Sequence, residues 1–124
     1  MLAELKKIYT FEAAHYLPRV PEAHKCSRMH GHSYRVEITL HGPVNPQTGW
    51  LVDFAVIDGA WAALFRQFDH HTLNDTRGLE NPTCENLCGY IWEFMRKAIP
   101  HLSAVTVWET ADSCCTYRGE APSL

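Results

Sequence analysis

The sequence has no apolar run near the roughly 18 residues that a membrane-spanning helix needs. It also lacks an excess of positive charge, because 11 Lys and Arg stand against 14 Asp and Glu, for a formal net charge of −3. Binding to nucleic acid or to a membrane surface depends on a positive patch, so we expect neither. The first 15 residues lack the pattern of a signal peptide, and we therefore expect a cytoplasmic protein.

Disulfide spacing, linkers and repeats are missing as well. The five cysteines are an odd number, with Cys114 beside Cys115 and Cys84 four residues before Cys88. This spacing is typical of free thiols rather than of a disulfide framework. The 124 residues are 46% hydrophobic, so we expect one domain over residues 1–124 that can bury its core without disulfides or a metal. A bound metal would therefore serve chemistry more readily than folding.

Hydrophobic periodicity predicts four strands and two helices in the order β-β-α-α-β-β. Apolar residues at helical spacing begin after Asp53 and after Thr83, which are good N-cap residues. The second of these runs ends by Pro100. This order is typical of an α+β fold with a four-stranded antiparallel sheet and both helices on one face. Alternation of apolar and polar side chains predicts the strands over residues 5–15, 32–41, 103–110 and 113–118.

Histidine is abundant, with eight in the chain. His30 and His32 flank Gly31 where a strand begins, so their side chains share one face about 6.6 Å apart, at about 3.3 Å per residue. His15 ends the apolar face of the preceding strand and is the best candidate for a third ligand. Three histidines with a fourth position open are the ligands of a catalytic zinc ion. Ordinary core or surface histidines are the alternative, and the spacing alone does not decide between them.

Cys26 lies four residues before His30, in a predicted loop. It is either a fourth zinc ligand, which would close the site into a structural module, or a free thiol. A thiol near a cation can act as a nucleophile or as a base. The basic neighbours Lys25 and Arg28 favour the reactive thiol.

Asp69 and His70 follow the first predicted helix. A carboxylate beside an imidazole can hold its tautomer and raise its basicity. Adjacent residues of a helix do not face each other, so this pairing requires the backbone to turn at that point. A histidine that only interacts with the helix dipole is the more common case.

Glu109 continues the inward face of a predicted strand after Val105 and Val107. A buried carboxylate must be paired or hydrogen-bonded. Its two oxygens can accept two parallel N–H bonds from the amidine-like edge of a purine or pterin. A salt bridge to an internal arginine is the more common alternative.

Six segments occur in collinear order over nearly the whole chain. They are CSRMHGH at 26–32, TGWLVDF at 48–54, FDHHTLND at 68–75, ENPTCENL at 80–87, WET at 108–110 and YRGE at 117–120. Together they resemble the family of the 6-pyruvoyl-tetrahydropterin and 6-carboxytetrahydropterin synthases. The short C-x-x-x-H-G-H spacing is similar to that of the bacterial 6-carboxy branch, which serves queuosine biosynthesis.

The resemblance implies a zinc-dependent lyase of the tunnelling fold (T-fold). Its substrate would be the pterin 7,8-dihydroneopterin triphosphate, and its products 6-carboxytetrahydropterin, acetaldehyde and triphosphate. It further implies trimers closed into a barrel, stacked in pairs as a homohexamer with active sites between subunits. The implied residues are His15, His30 and His32 for Zn²⁺, Cys26, Asp69 and His70 for catalysis, and Glu109, Thr83 and Glu85 for substrate binding.

Two alternatives stay open. The first is the 6-pyruvoyl activity, which eliminates triphosphate from the same substrate without breaking a carbon–carbon bond. The second is a non-catalytic zinc module with Cys26 as a fourth ligand, in which Glu109, Asp69 and His70 would have no purpose. The adjacent cysteines Cys114 and Cys115 have no functional interpretation.

Overall fold

The computed structural model of the protein describes residues 1–120, so the last four residues of the predicted domain lie outside the described part. Two short 3-10 turns cover Lys25–Ser27 and Leu73–Asp75. The strands are β1 (Leu2–His15), β2 (His30–Pro43), β3 (His71–Thr72), β4 (Leu102–Thr110) and β5 (Ser113–Tyr117), and the helices are α1 (Phe54–Phe68) and α2 (Cys84–Ala98).

The five strands form one sheet in the order β3-β1-β2-β4-β5. The predicted α+β class with two helices is confirmed, but the predicted four-stranded, fully antiparallel sheet and its element order are wrong. Strand β3 pairs in parallel with Ala13 and Ala14 of β1, which makes the sheet mixed and the order β-β-α-β-α-β-β. A strand of two residues carries no alternation, so periodicity cannot reveal it.

The pairing of β1 with β2 determines where the histidines meet. The two strands are antiparallel over their full length, from Leu2 opposite Pro43 to His15 opposite His30. Alternate side chains of each strand point to the same face. His15 therefore lies directly opposite His30 at one end of the ladder. His32 is two residues further along β2 and points to the same face.

The two helices begin at the predicted caps and cover that face of the sheet. Asp53 Oδ1 accepts from the Ala55 N–H at 2.9 Å, and Thr83 Oγ1 accepts from the Asn86 N–H at 3.1 Å. Neither helix has the length and apolar character that a membrane crossing requires. The helices bury their apolar stripes against the sheet, including Ile57, Trp61, Leu64, Phe68, Leu87, Cys88, Ile91 and Met95.

Candidate active site

Three histidines meet at the end of the β1–β2 ladder, on the face that the helices cover. One ring nitrogen from each of His15, His30 and His32 lies within 4.8 Å of the others. Their ring centroids are 4.5 to 5.0 Å apart, with the rings turned edge to face. His15 is 1% exposed. The structure thus brings together the three residues that the sequence indicated as metal ligands.

Backbone carbonyls orient two of these rings. The Nδ1 of His15 donates to the Pro82 carbonyl at 2.9 Å, and the Nδ1 of His30 donates to the Arg28 carbonyl at 2.7 Å. A carbonyl can only accept, so Nδ1 carries the proton in both rings and each Nε2 keeps its lone pair. Metal-binding histidines are commonly oriented in this way.

The unpaired nitrogens of this cluster fit a cation. Among residues 1–120, the Nε2 atoms of His15 and His32 are buried and have no hydrogen-bond partner. Buried polar atoms are rarely left without a partner, and lone pairs that converge are satisfied by a divalent metal. The donor set is all imidazole, which suits zinc among other transition metals.

Burial also favours the metal-binding form of these rings. Desolvation lowers the pKa of His15 and of His32, while the nearby Glu109 carboxylate opposes the shift in both. A lowered pKa leaves an imidazole neutral at neutral pH, and only the neutral ring has a lone pair for a metal.

Cys26 does not complete this cluster. Within residues 1–120, the grouped ligand atoms are those of the three histidines alone. Cys26 lies half-buried in the 3-10 turn Lys25–Ser27, on the loop between β1 and β2. The open three-histidine arrangement is therefore favoured over the closed module with four protein ligands.

Glu109 occupies an irregular position of the sheet. The β4–β5 register shifts between Trp108 and Thr110, so Glu109 has no partner on β5, as at a β-bulge. Bulges near functional sites redirect a side chain. The Glu109 Oε1 lies 3.5 Å from the His32 Nε2, without hydrogen-bond geometry, and the two would form an ion pair only with the His32 ring protonated. Within the described residues Glu109 therefore lies beside this histidine, and no arginine forms the salt bridge that the sequence left open.

The three predicted substrate-binding residues line one cavity of about 480 Å³. Glu109 lines it from the sheet, and Thr83 and Glu85 line it from the start of α2. The Thr83 side chain is also the N-cap of this helix, so one residue serves the fold and the cavity together. The remaining lining residues are Leu17, Cys84, Ser113, Cys114 and Cys115.

Asp69 and His70 face each other because the backbone turns between α1 and β3. His70 has a φ of 58°, in the left-handed region, and its Nδ1 donates to the Asp69 Oδ2 at 2.8 Å. The backbone thus turns at the point where pairing of Asp69 with His70 requires it. The Asp69 Oδ1 accepts from the Glu12 N–H at 2.9 Å, and the His70 N–H donates to the Glu12 carbonyl at 2.6 Å. The bond from Glu12 and then the one from His70 lower the pKa of Asp69.

The predicted catalytic residues are not all assembled within one chain. Among residues 1–120, no hydrogen bond or ion pair joins Cys26 to Asp69 or His70. His70 instead lines a cavity of about 520 Å³ whose wall also includes His32 and Glu12. The contributions that sequence reasoning missed are mostly backbone groups, such as the Pro82 carbonyl, which no residue type reveals.

The sequence is similar to those of known proteins over most of its length. A family model described as 6-pyruvoyl tetrahydropterin synthase matches residues 4–120. The 6-carboxy-5,6,7,8-tetrahydropterin synthase of Synechocystis sp. is 37% identical over 117 residues, which cover 90% of this chain and 89% of the relative. The enzyme of the same name from Bacillus subtilis is 34% identical and covers 98% of this chain and 88% of the relative.

The fold of this chain is also similar to that of a solved structure. The 6-pyruvoyl tetrahydropterin synthase of Caenorhabditis elegans superposes with a TM-score of 0.90 at 26% identity, over 97% of each chain. This likeness confirms the expected tunnelling fold. The similar proteins thus include members of both the 6-carboxy and the 6-pyruvoyl branches.

Proposed function

Because this chain belongs to the 6-pyruvoyl tetrahydropterin synthase family, we propose that it is a zinc-dependent 6-carboxy-5,6,7,8-tetrahydropterin synthase. It converts 7,8-dihydroneopterin triphosphate and water to 6-carboxytetrahydropterin, acetaldehyde and triphosphate, as a lyase of queuosine biosynthesis. The observation that carries this proposal is the cluster of His15, His30 and His32, in which the Nε2 atoms of His15 and His32 are buried near Glu109 and have no hydrogen-bond partner within residues 1–120.

The three histidines would hold Zn²⁺ through one ring nitrogen each and leave a position open for substrate. A zinc ion held there would supply Lewis-acid polarisation of the substrate, which would make a C–H of its side chain more acidic. The carbonyls of Pro82 and Arg28 keep two of the rings in the required tautomer. Burial of His15 limits the access of water to that side of the cluster.

Cys26 is the proposed base that accepts the substrate proton at its Sγ. Asp69 and His70 form the proposed relay, in which the carboxylate holds the His70 Nδ1–H and leaves Nε2 free to exchange a proton. Since no hydrogen bond or ion pair joins this pair to Cys26 within residues 1–120, we propose that each active site combines Cys26 of one subunit with Asp69 and His70 of another.

Glu109 is the proposed anchor for the pterin ring. Its carboxylate oxygens can accept the two parallel N–H groups that the ring presents. The cavity beside it, lined also by Thr83 and Glu85, has room for a small molecule at about 480 Å³.

The assembly belongs to the same proposal, as a homohexamer of two stacked trimers. Within residues 1–120, β5 pairs only with β4, and β1 is covered on its outer side only by the two residues of β3. Exposed strand edges are satisfied when neighbouring subunits pair along them. Light scattering tests this part, and a stable active monomer would contradict the shared site. A cytoplasmic location for the single domain, residues 1–124, fits the five free thiols.

Product analysis is the decisive experiment for the reaction. The zinc-loaded protein is incubated with 7,8-dihydroneopterin triphosphate, and the products are identified by mass spectrometry together with an assay for acetaldehyde. The proposal expects 6-carboxytetrahydropterin and acetaldehyde. The close structural match to a 6-pyruvoyl synthase favours one alternative, elimination of triphosphate, which yields no acetaldehyde. Absence of any turnover would contradict both reactions.

A further inference from the structure

The turn that carries Cys26 is held by backbone hydrogen bonds on both sides of this residue. The Cys26 N–H donates to the Nδ1 of His24 at 3.0 Å, and the Cys26 carbonyl accepts from the Leu17 N–H at 2.8 Å. The Ser27 Oγ also donates to the Glu22 carbonyl at 2.8 Å. Of the groups that hold the turn, the His24 ring is the side chain that bonds Cys26 itself.

His24 acts here as the N-cap of the 3-10 turn Lys25–Ser27. Its backbone is extended, with φ of −71° and ψ of 136°, as N-cap residues usually are. The ring accepts through Nδ1, so the proton of the neutral ring lies on Nε2. Asn, Asp, Ser and Thr are the usual residues for this role, and a histidine is an uncommon substitute. His24 is exposed and is not one of the three clustered histidines, so neither the core nor the proposed metal site explains it.

The turn connects Cys26 to the proposed metal ligands in both directions along the chain. Leu17, which binds the Cys26 carbonyl, lies two residues after His15 in the sequence. The Arg28 carbonyl, just past the turn, accepts from the His30 Nδ1 at 2.7 Å. The placement of the thiol relative to these two ligands therefore depends on the conformation of a turn of three residues. A 3-10 helix this short has little stability of its own.

We infer that His24 is a positioning residue for Cys26: its imidazole holds the Cys26 N–H and thereby fixes the thiol relative to the histidine cluster. This inference rests on the proposed function for the catalytic role of Cys26. The hydrogen bond and its effect on the exposure of the thiol can be tested without that function.

The test compares His24→Ala with His24→Asn, which retains an N-cap acceptor in its side-chain oxygen. The rate at which iodoacetamide alkylates Cys26 is measured by site-resolved mass spectrometry in the full-length, zinc-loaded protein. Loss of an N-cap favours the open turn about fivefold, equivalent to about 1 kcal/mol, and we expect the open turn to expose the half-buried Cys26 thiol to the reagent. We expect alkylation about fivefold faster in His24→Ala and close to the wild-type rate in His24→Asn. The exposed His101→Ala variant is the matched control and should alkylate at the wild-type rate.

Turnover separates positioning from a general loss of structure. For His24→Ala we expect kcat to fall about twofold or more, with KM and zinc content unchanged, and His24→Asn to restore kcat. An alkylation rate in His24→Ala equal to that of the wild type would overturn the inference. So would impairment of His24→Ala that His24→Asn does not relieve, because another property of the ring would then matter. If the wild type fails to turn over dihydroneopterin triphosphate, the proposed function fails while the alkylation comparison still tests His24.

Discussion

The histidine cluster and the Asp69–His70 pair are built in opposite ways. His15, His30 and His32 lie on regular strands, face the helices, and owe their proximity to the β1–β2 register. Asp69 and His70 are adjacent in the chain and meet because His70 adopts a left-handed backbone conformation with φ of 58°. One group depends on long-range pairing of regular elements, and the other on a single unusual residue.

The two groups should therefore respond differently to substitution. The cluster is supported by a 14-residue ladder and by buried packing, so removing one ring leaves the other two in place. The Asp69–His70 pair is more exposed and depends on two hydrogen bonds to the backbone of Glu12. We therefore expect changes in the cluster to affect ligand binding without unfolding, and changes in the pair to affect the local backbone.

The largest expected effect is on metal binding by the cluster. His30→Ala removes one of the three proposed ligands, so zinc affinity should fall by more than the roughly 10- to 100-fold typical of losing a residue that only supports a ligand. Turnover should be lost with it, while circular dichroism shows a folded protein. Competition with a chromogenic chelator measures the affinity, and His71→Ala is the control because His71 lies outside the cluster. Stoichiometric zinc and full turnover in His30→Ala would refute the ligand assignment.

Cys26→Ala should separate chemistry from metal binding. If the thiol is the base, turnover should fall by roughly 100- to 10,000-fold, the usual contribution of a positioned base. Zinc content should stay at the wild-type level, since Cys26 is outside the histidine cluster. Steady-state kinetics and metal analysis on one preparation give both values, and loss of zinc would make Cys26 a ligand instead.

Glu109→Gln tests whether the carboxylate beside the cluster serves the substrate or the metal. The amide replaces one acceptor with a donor that faces the N–H groups of the ring, at a cost of about 2–4 kcal/mol. Binding of an unreactive pterin should weaken roughly 30- to 1,000-fold. Zinc content should not change. Equilibrium titration measures the affinity, and an unaltered value would show that another group anchors the ring.

His70→Val should reveal the cost of the left-handed residue. A β-branched side chain is poorly tolerated at positive φ, and we expect a loss of about 1–2 kcal/mol in the free energy of unfolding. His70→Asn is the matched control, because Asn tolerates this conformation and should stay within about 0.5 kcal/mol of the wild type. Urea unfolding at fixed protein concentration compares them. Equal stability of the two variants would mean that the turn relaxes freely.

The smallest expected effect is on how the free energy of unfolding falls at acid pH. The Glu12 N–H and then His70 hold the pKa of Asp69 below its ordinary value. A carboxyl group with a depressed folded pKa stabilises the protein above its unfolded pKa, near 3.9, and this contribution is lost as the pH falls through the folded value. Asp69→Asn should therefore lose stability less steeply below about pH 4. An NMR titration of the Asp69 carboxyl carbon should give a midpoint below the ordinary one.

Much of the architecture could be predicted from patterns along the chain. Alternation located the four longer strands, and the caps Asp53 and Thr83 located the helix starts, because burial on one face leaves a regular signature in sequence. The same alternation indicated that His30 and His32 share a face. Strand β3 was not predicted, because two residues, His71 and Thr72, are too few to show an alternation. The irregular register at Glu109 was not predicted either, because residue types do not distinguish an unpaired strand position from a paired one.

The amino-acid sequence was sufficient to show which side chains face the helices. Alternation along a strand places His15, His30, His32 and the inner residues of β4 on that face, whichever strands they pair with. Which of these side chains meet depended on the tertiary fold. The β1–β2 register brought His15 opposite His30, the carbonyl of Pro82 set the tautomer of His15, and contacts with Glu12 hold the turn that joins Asp69 to His70. These contacts involve backbone groups distant in sequence, and a backbone group is the same in every residue type, so it leaves no mark on the pattern of side chains.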